Sequence, residues 1–177
     1  MGTTPPVDDG RPMTKTTLVF LHGLESGPHG SKYHALLELD PTLIAPDCSG
    51  IDDLQARLAV IETCLAEVEK MVIVGSSFGG LAALLFAQRP ANRDRVVGCL
   101  LCAPAFSLPE TAEIGRVPAR TIVLHGTDDD IVPFRASEDF CHPRGIELVA
   151  VKDDHRLSLS RQRMLEIAGK LLRDSDA

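Results

Sequence analysis

The sequence predicts an α/β fold, a three-layer αβα sandwich in which helices cover both faces of a mostly parallel sheet. Three observations predict it. Short apolar, β-branched runs alternate with helical patterns along the chain. Several runs, such as Met71–Val74 and Thr121–Leu124, are apolar at consecutive positions, as strands buried on both faces are. No internal repeat and no Gly- or Pro-rich linker divides the 177 residues, a length suited to one domain.

The elements follow in order. Residues 1–15, MGTTPPVDDGRPMTK, lack the apolar stretch of a secretory signal and read as a disordered leader. The domain is then 16–177. Thr16–Leu21 is the first strand, and His22–Gly30 a glycine-rich loop. Ser31 is placed to cap a helix over Tyr33–Leu39. Leu43–Ala45 is a short second strand, closed by Pro46. Asp52 or Asp53 caps an amphipathic helix with apolar positions Leu54, Leu58, Ile61, Leu65 and Val68. Met71–Val74 is the third strand, and Leu81–Phe86 lies in a buried helix that Arg89-Pro90 ends. Arg95–Cys102 and Thr121–Leu124 are the fourth and fifth strands. A short helix covers Arg135–Cys141, and Ile146–Val151 is the sixth strand. The last helix carries Met164, Ile167, Ala168, Leu171 and Leu172 on one side.

Composition narrows the function. A net charge of −7 argues against nucleic acid and against a membrane-surface patch as partners. No segment approaches transmembrane length. With no Trp and one Tyr there is no aromatic stacking platform. Five cysteines without disulfide-like spacing point to a reducing, cytoplasmic setting. Cys99 and Cys102 fit C-x-x-C, but residues three apart on a strand face opposite ways, so they read as core residues. No clustered ligand set suggests a metal, and no cofactor is expected.

The chemistry concentrates after the third strand. Gly75-Ser76-Ser77-Phe78-Gly79 fits G-x-S-x-G, with a strand before and a helix after. A serine on so sharp a turn takes an unfavourable backbone conformation. Residues two positions either side must lack side chains for strand and helix to approach. Ser77 satisfies this with Gly75 and Gly79, whereas Ser76 has Val74 at the first of those positions. The helix N-terminus supplies free N–H groups for a developing oxyanion.

In a parallel sheet, functional residues gather beyond the carboxyl ends of the strands. His22-Gly23-Leu24 follows the first strand and Ser77 the third. His125-Gly126-Thr127-Asp128-Asp129-Asp130 follows the fifth, and Lys152-Asp153-Asp154-His155 the sixth. Serine, acid and histidine thus share one edge in the order Ser…Asp…His. His155 would accept the proton of Ser77, and an aspartate would orient the imidazole. Chemistry alone does not choose among Asp128, Asp129 and Asp130. His22 and His125, before glycines at strand ends, read as structural.

These patterns resemble the α/β-hydrolase superfamily from Thr16 to about Arg173. Leu21-His22-Gly23-Leu24 is similar to its oxyanion loop, Gly75–Gly79 to its nucleophile elbow, His125–Pro133 to its HG-x-x-D-x-x-V-P segment and Asp154-His155-Arg156 to its late D-H loop. The resemblance aligns Asp129 with the triad acid and implies oxyanion donors at the backbone N–H groups of Leu24 and Phe78. It implies six strands in the order 2-1-3-4-5-6. The short Ala103–Pro118 segment leaves no room for a lid, which implies a minimal core. The implied activity is that of a small lidless serine esterase acting on a carboxylic ester through an acyl-enzyme. A thioesterase with the same triad, or a non-catalytic binding protein of this fold, are the alternatives.

Overall fold

The computed structural model describes residues 15–176. Its elements run β1 (Thr17–Leu21), α1 (Ser31–Leu36), α2 (Leu54–Cys64), β2 (Met71–Ser76), α3 (Phe78–Ala87), β3 (Val96–Cys102), β4 (Thr121–Gly126), α4 (Phe134–Cys141), β5 (Glu147–Val151) and α5 (Arg161–Asp176). The expected leader lies outside the described residues except Lys15, whose ammonium pairs with Asp40 at 3.3 Å.

The strands form one parallel sheet in the order β1-β2-β3-β4-β5. This corrects the expected six strands. The segment Leu43–Ala45 does lie outside β1, where the order 2-1-3 places it, but it contributes a single parallel bridge, Val19 to Ile44. Ile44 N–H donates to Leu18 O and Ile44 O accepts from Phe20 N–H, at 3.0 and 2.9 Å. A ladder would continue through the N–H groups of residues 42 and 46. Thr42 N–H is taken by Asp40 Oδ1 at 2.9 Å, and residue 46 is proline, which has none. Both in-phase donors are lost, and the strand shrinks to one residue.

Alternation along the strands builds two cores. Val19, Leu21, Ile73, Cys99, Leu101 and Val123 face α2, α3 and α4. Leu18, Phe20, Val72, Val74, Leu100, Cys102 and Leu124 face α1 and α5. Cys99 and Cys102 therefore do lie on opposite faces. Burial pushes their thiols up to about 12 and about 11, so they stay protonated and apolar in character. All five cysteines are free, and Cys64 is the exposed one.

Helix ends follow local chemistry. Asp53 caps α2 by accepting from Ala56 N–H at 2.8 Å. Ser31 is not a cap: Gly30 holds that position, and α1 begins at Ser31. The helix α2 ends at Cys64, short of Val68, which packs from the turn beyond it. Every residue of α3 is buried, since the sheet lies on one side and α2 on the other. Between β3 and β4 the chain forms only a 3-10 turn, Pro109–Glu113, so that segment builds no helical lid. No helix among the described residues is long and apolar enough to cross a membrane.

Leu84 is 0% exposed within α3, and its truncation to Ala is expected to cost about 2–5 kcal/mol. Leu159, 84% exposed, is expected to lose less than about 0.5 kcal/mol on the same change. Urea denaturation of the two variants checks the pair.

Candidate active site

Ser77 sits where β2 turns into α3. Its backbone, at φ 54° and ψ −117°, is in a region that side-chain-bearing residues avoid. Neighbouring backbone holds it there. Ser77 N–H donates to Cys102 O at 2.9 Å, and Ser77 O accepts from Gly80 N–H at 2.9 Å and Ala105 N–H at 3.0 Å. The two glycines are required by space. A Cβ on Gly75 would stand 2.6 Å from Gly79 O, and one on Gly79 would stand 2.1 Å from Leu21 O.

The loop after β1 lies against this turn. A Cβ on Gly23 would be 3.4 Å from Ser77 Cβ. Among the described residues, neither Leu24 N–H nor Phe78 N–H finds an acceptor. These are the two donors expected of an oxyanion site. His22 is buried and keyed into the backbone. Its Nε2 accepts from Cys48 N–H at 3.0 Å, so Nδ1 carries the proton and donates to Gly23 O at 2.8 Å. Burial, with the nearby Arg57 charge, lowers the His22 pKa below 6.5, despite the bond to Gly23, and favours this neutral form.

The third component is a carboxylate that four donors fix in place. Asp129 Oδ1 accepts from Ile131 N–H and Val132 N–H, at 2.9 and 2.8 Å. Asp129 Oδ2 accepts from His155 Nδ1 at 2.7 Å and from His125 Nε2 at 2.9 Å. Burial alone would raise this carboxyl. The bonds from His155 and the two backbone N–H groups outweigh it and hold the pKa below the usual aspartate value. The neighbouring acids are occupied elsewhere or exposed: Asp128 pairs with Lys152 at 2.7 Å, and Asp130 faces solvent. Of the three aspartates, Asp129 is the one in contact with His155.

The partner fixes the tautomer of His155. With Nδ1–H directed at the carboxylate, Nε2 keeps its lone pair and is the atom able to take a proton. Among the described residues His155 Nε2 and the Ser77 hydroxyl are not hydrogen-bonded, and both are half-buried. Such contacts are commonly long before substrate arrives.

Three contributors were not evident as site residues in the sequence. His125, read as structural, is indeed fully buried, and it also joins the acid. Its Nδ1 accepts from Ser137 Oγ at 2.7 Å, which leaves Nε2–H for Asp129. Asp153 anchors the loop that carries His155. Its Oδ2 accepts from Leu159 N–H, Ser160 N–H and Ser160 Oγ, at 3.0, 2.9 and 2.8 Å. Arg57, 1% exposed, reaches back to the loop after β1. Its sequence signal was its place on the apolar stripe of α2, three residues after Leu54 and four before Ile61. His29, by contrast, is exposed and packs on Tyr33 with ring centroids 4.6 Å apart.

Residues 18–157 match the model of a family described as the alpha/beta hydrolase family. Solved structures agree on the fold. A protein from Xanthomonas campestris assigned to the alpha/beta hydrolase superfamily is 23% identical, with a TM-score of 0.76 over 92% of this chain and 99% of that one. Est1E from Butyrivibrio proteoclasticus is 18% identical, with a TM-score of 0.74 over 93% of this chain and 89% of that one. A monoacylglycerol lipase from Paleococcus ferrophilus is 17% identical, with a TM-score of 0.67 over 89% and 96% of the two chains. No curated protein matches the sequence.

Burial sets a pH dependence of stability. It lowers the pKa of both His22 and His125 below 6.5, so the unfolded chain binds protons that the folded one does not. Stability is thus full above 6.5 and falls as pH drops below it. The variant His125→Asn is expected to be less stable at neutral pH. It is also expected to show a slope below that point shallower by up to about 1.4 kcal/mol per pH unit. Denaturation midpoints across the acid range check both statements.

Proposed function

The chain belongs to the alpha/beta hydrolase family, and on that premise we propose that it is a serine hydrolase cleaving a carboxylic ester through Ser77, His155 and Asp129. What carries the reading is the 2.7 Å bond that commits His155 Nδ1 to Asp129, at the same sheet edge as a strained serine. A serine hydroxyl becomes nucleophilic only when a base takes its proton. His155 Nε2 is that base. As Ser77 Oγ bonds to the ester carbon, its proton passes to His155, and Asp129 offsets the imidazolium charge. Leu24 N–H and Phe78 N–H receive the oxyanion. The tetrahedral species collapses, the alkoxide leaves with the proton from His155, and an acyl-Ser77 remains. Water, deprotonated by His155, then releases the acid and restores the hydroxyl.

The rim supports an apolar substrate. Among the described residues the exposed large hydrophobic side chains are Leu24, Ile131 and Leu159. Each stands on a loop that carries a working part: the oxyanion loop, the loop of the acid and the loop of the base. An acyl or alcohol group of apolar character, bound without a lid, fits that placement. Two similar folds are consistent in kind, one a monoacylglycerol lipase and one a protein bound to ferulic acid.

A fluorophosphonate tests the nucleophile. Wild-type protein is expected to be labelled at Ser77, and Ser77→Ala to lose both label and hydrolysis. An unlabelled wild type, beside a reactive control hydrolase, would sink the proposal. Toward p-nitrophenyl esters, Asp129→Asn is expected to lower kcat by on the order of 10⁴-fold, since the imidazole can then take the wrong tautomer. Paired ester and thioester substrates of graded chain length define the leaving group and the acyl preference.

A further inference from the structure

Arg57 is a cation in the interior, 1% exposed, that among the described residues has no paired anion. Its guanidinium instead donates to backbone carbonyls. Nε donates to Ile51 O at 2.5 Å, Nη1 to His22 O at 3.1 Å and Nη2 to Gly23 O at 3.3 Å. The same group lies 5.1 Å from the centroid of the Phe78 ring. Arg57 therefore touches both segments that carry the proposed oxyanion donors, the loop after β1 and the first residue of α3.

The geometry of the peptide unit gives this contact a consequence. A trans peptide is planar, and its N–H points opposite to its C=O. No cis peptide is present among the described residues. The Gly23 carbonyl belongs to the same unit as Leu24 N–H. Holding that oxygen toward Arg57 turns Leu24 N–H the opposite way, away from the guanidinium. Gly23 itself packs against Ser77, where an added Cβ would stand 3.4 Å from Ser77 Cβ. His22 Nδ1–H, at 2.8 Å, holds the same oxygen from a second direction. Two donors on one carbonyl also polarise its amide and strengthen the N–H as a donor.

We propose that Arg57 is a positioning residue of the oxyanion site, setting the direction of Leu24 N–H through the Gly23 carbonyl. The inference rests on Ser77 acting as the nucleophile. A role in folding alone would also need a buried contact here, so the test must separate the two.

Fluorophosphonate reaction provides the separation. Ser77 Oγ bonds to phosphorus, the P–F bond breaks, fluoride leaves, and the serine proton goes to His155. The adduct presents a phosphoryl oxygen to the two N–H groups. In ¹⁵N-labelled wild type, the amide protons of Leu24 and Phe78 are expected to move downfield on labelling. Arg57→Gln and Arg57→Lys are expected to lose the Leu24 shift while keeping that of Phe78. Their labelling rate and kcat are expected to fall on the order of 10²–10³-fold, as for loss of one oxyanion donor, with KM little changed. Leu58→Ala, on the same helix and 1% exposed, removes core packing but no hydrogen bond to the loop and is expected to keep the wild-type kcat. A wild type that resists the probe overturns the Ser77 reading. A wild type that reacts, beside a folded Arg57 variant that reacts as fast with the Leu24 shift intact, overturns the role of Arg57 alone. A Leu24 amide that does not move in the labelled wild type does so as well.

Discussion

The close approach of α3 to the end of β1 governs the arrangement of this edge. Gly79 lies so near Leu21 that any side chain would strike backbone, 2.1 Å from a carbonyl oxygen. With that distance fixed, β1, β2 and α3 share one corner. There β2 enters α3 through the strained turn of Ser77. The loop after β1 then comes to rest on the serine, with Gly23 packed against Ser77. The strain itself is held by hydrogen bonds to Cys102, Gly80 and Ala105, so β3 takes part as well.

A second approach of the same kind lies across the sheet. A Cβ on Gly126 would stand 2.3 Å from Asp153 O, so the ends of β4 and β5 are drawn together. Asp129 and His155 meet because of it. The Asp129 carboxylate, with four donors, has little freedom to rotate, and the imidazole bonded to it inherits that rigidity.

Most of this was legible in the sequence because it rests on periodicity and on glycine. Strands apolar on both faces could be found from runs alone. Ser77 could be told from Ser76 by the glycines beside it. Residue chemistry alone left three consecutive aspartates open, since the choice depends on which carboxylate a distant histidine meets, and the family resemblance pointed to Asp129. The second strand was overcounted for a reason visible only in register: Thr42 and Pro46 are the residues that would have had to donate. Gly30, not Ser31, caps α1, because a backbone position rather than a side chain begins that helix. Arg57 hid behind its charge. A cation on an apolar stripe reads as an interruption until the carbonyls that absorb it are seen.

The loop tips are under different constraints from the edge they crown. Backbone contact, buried hydrogen bonds and missing side chains fix Ser77, Asp129 and His155, and few substitutions there are compatible with the fold. Leu24, Ile131 and Leu159 are the exposed large hydrophobic residues among those described, Leu159 most of all. Changes at those tips leave the core almost untouched. Selection can therefore alter the tips without disturbing the edge beneath them, and proteins sharing this scaffold can differ at their rims while keeping one frame.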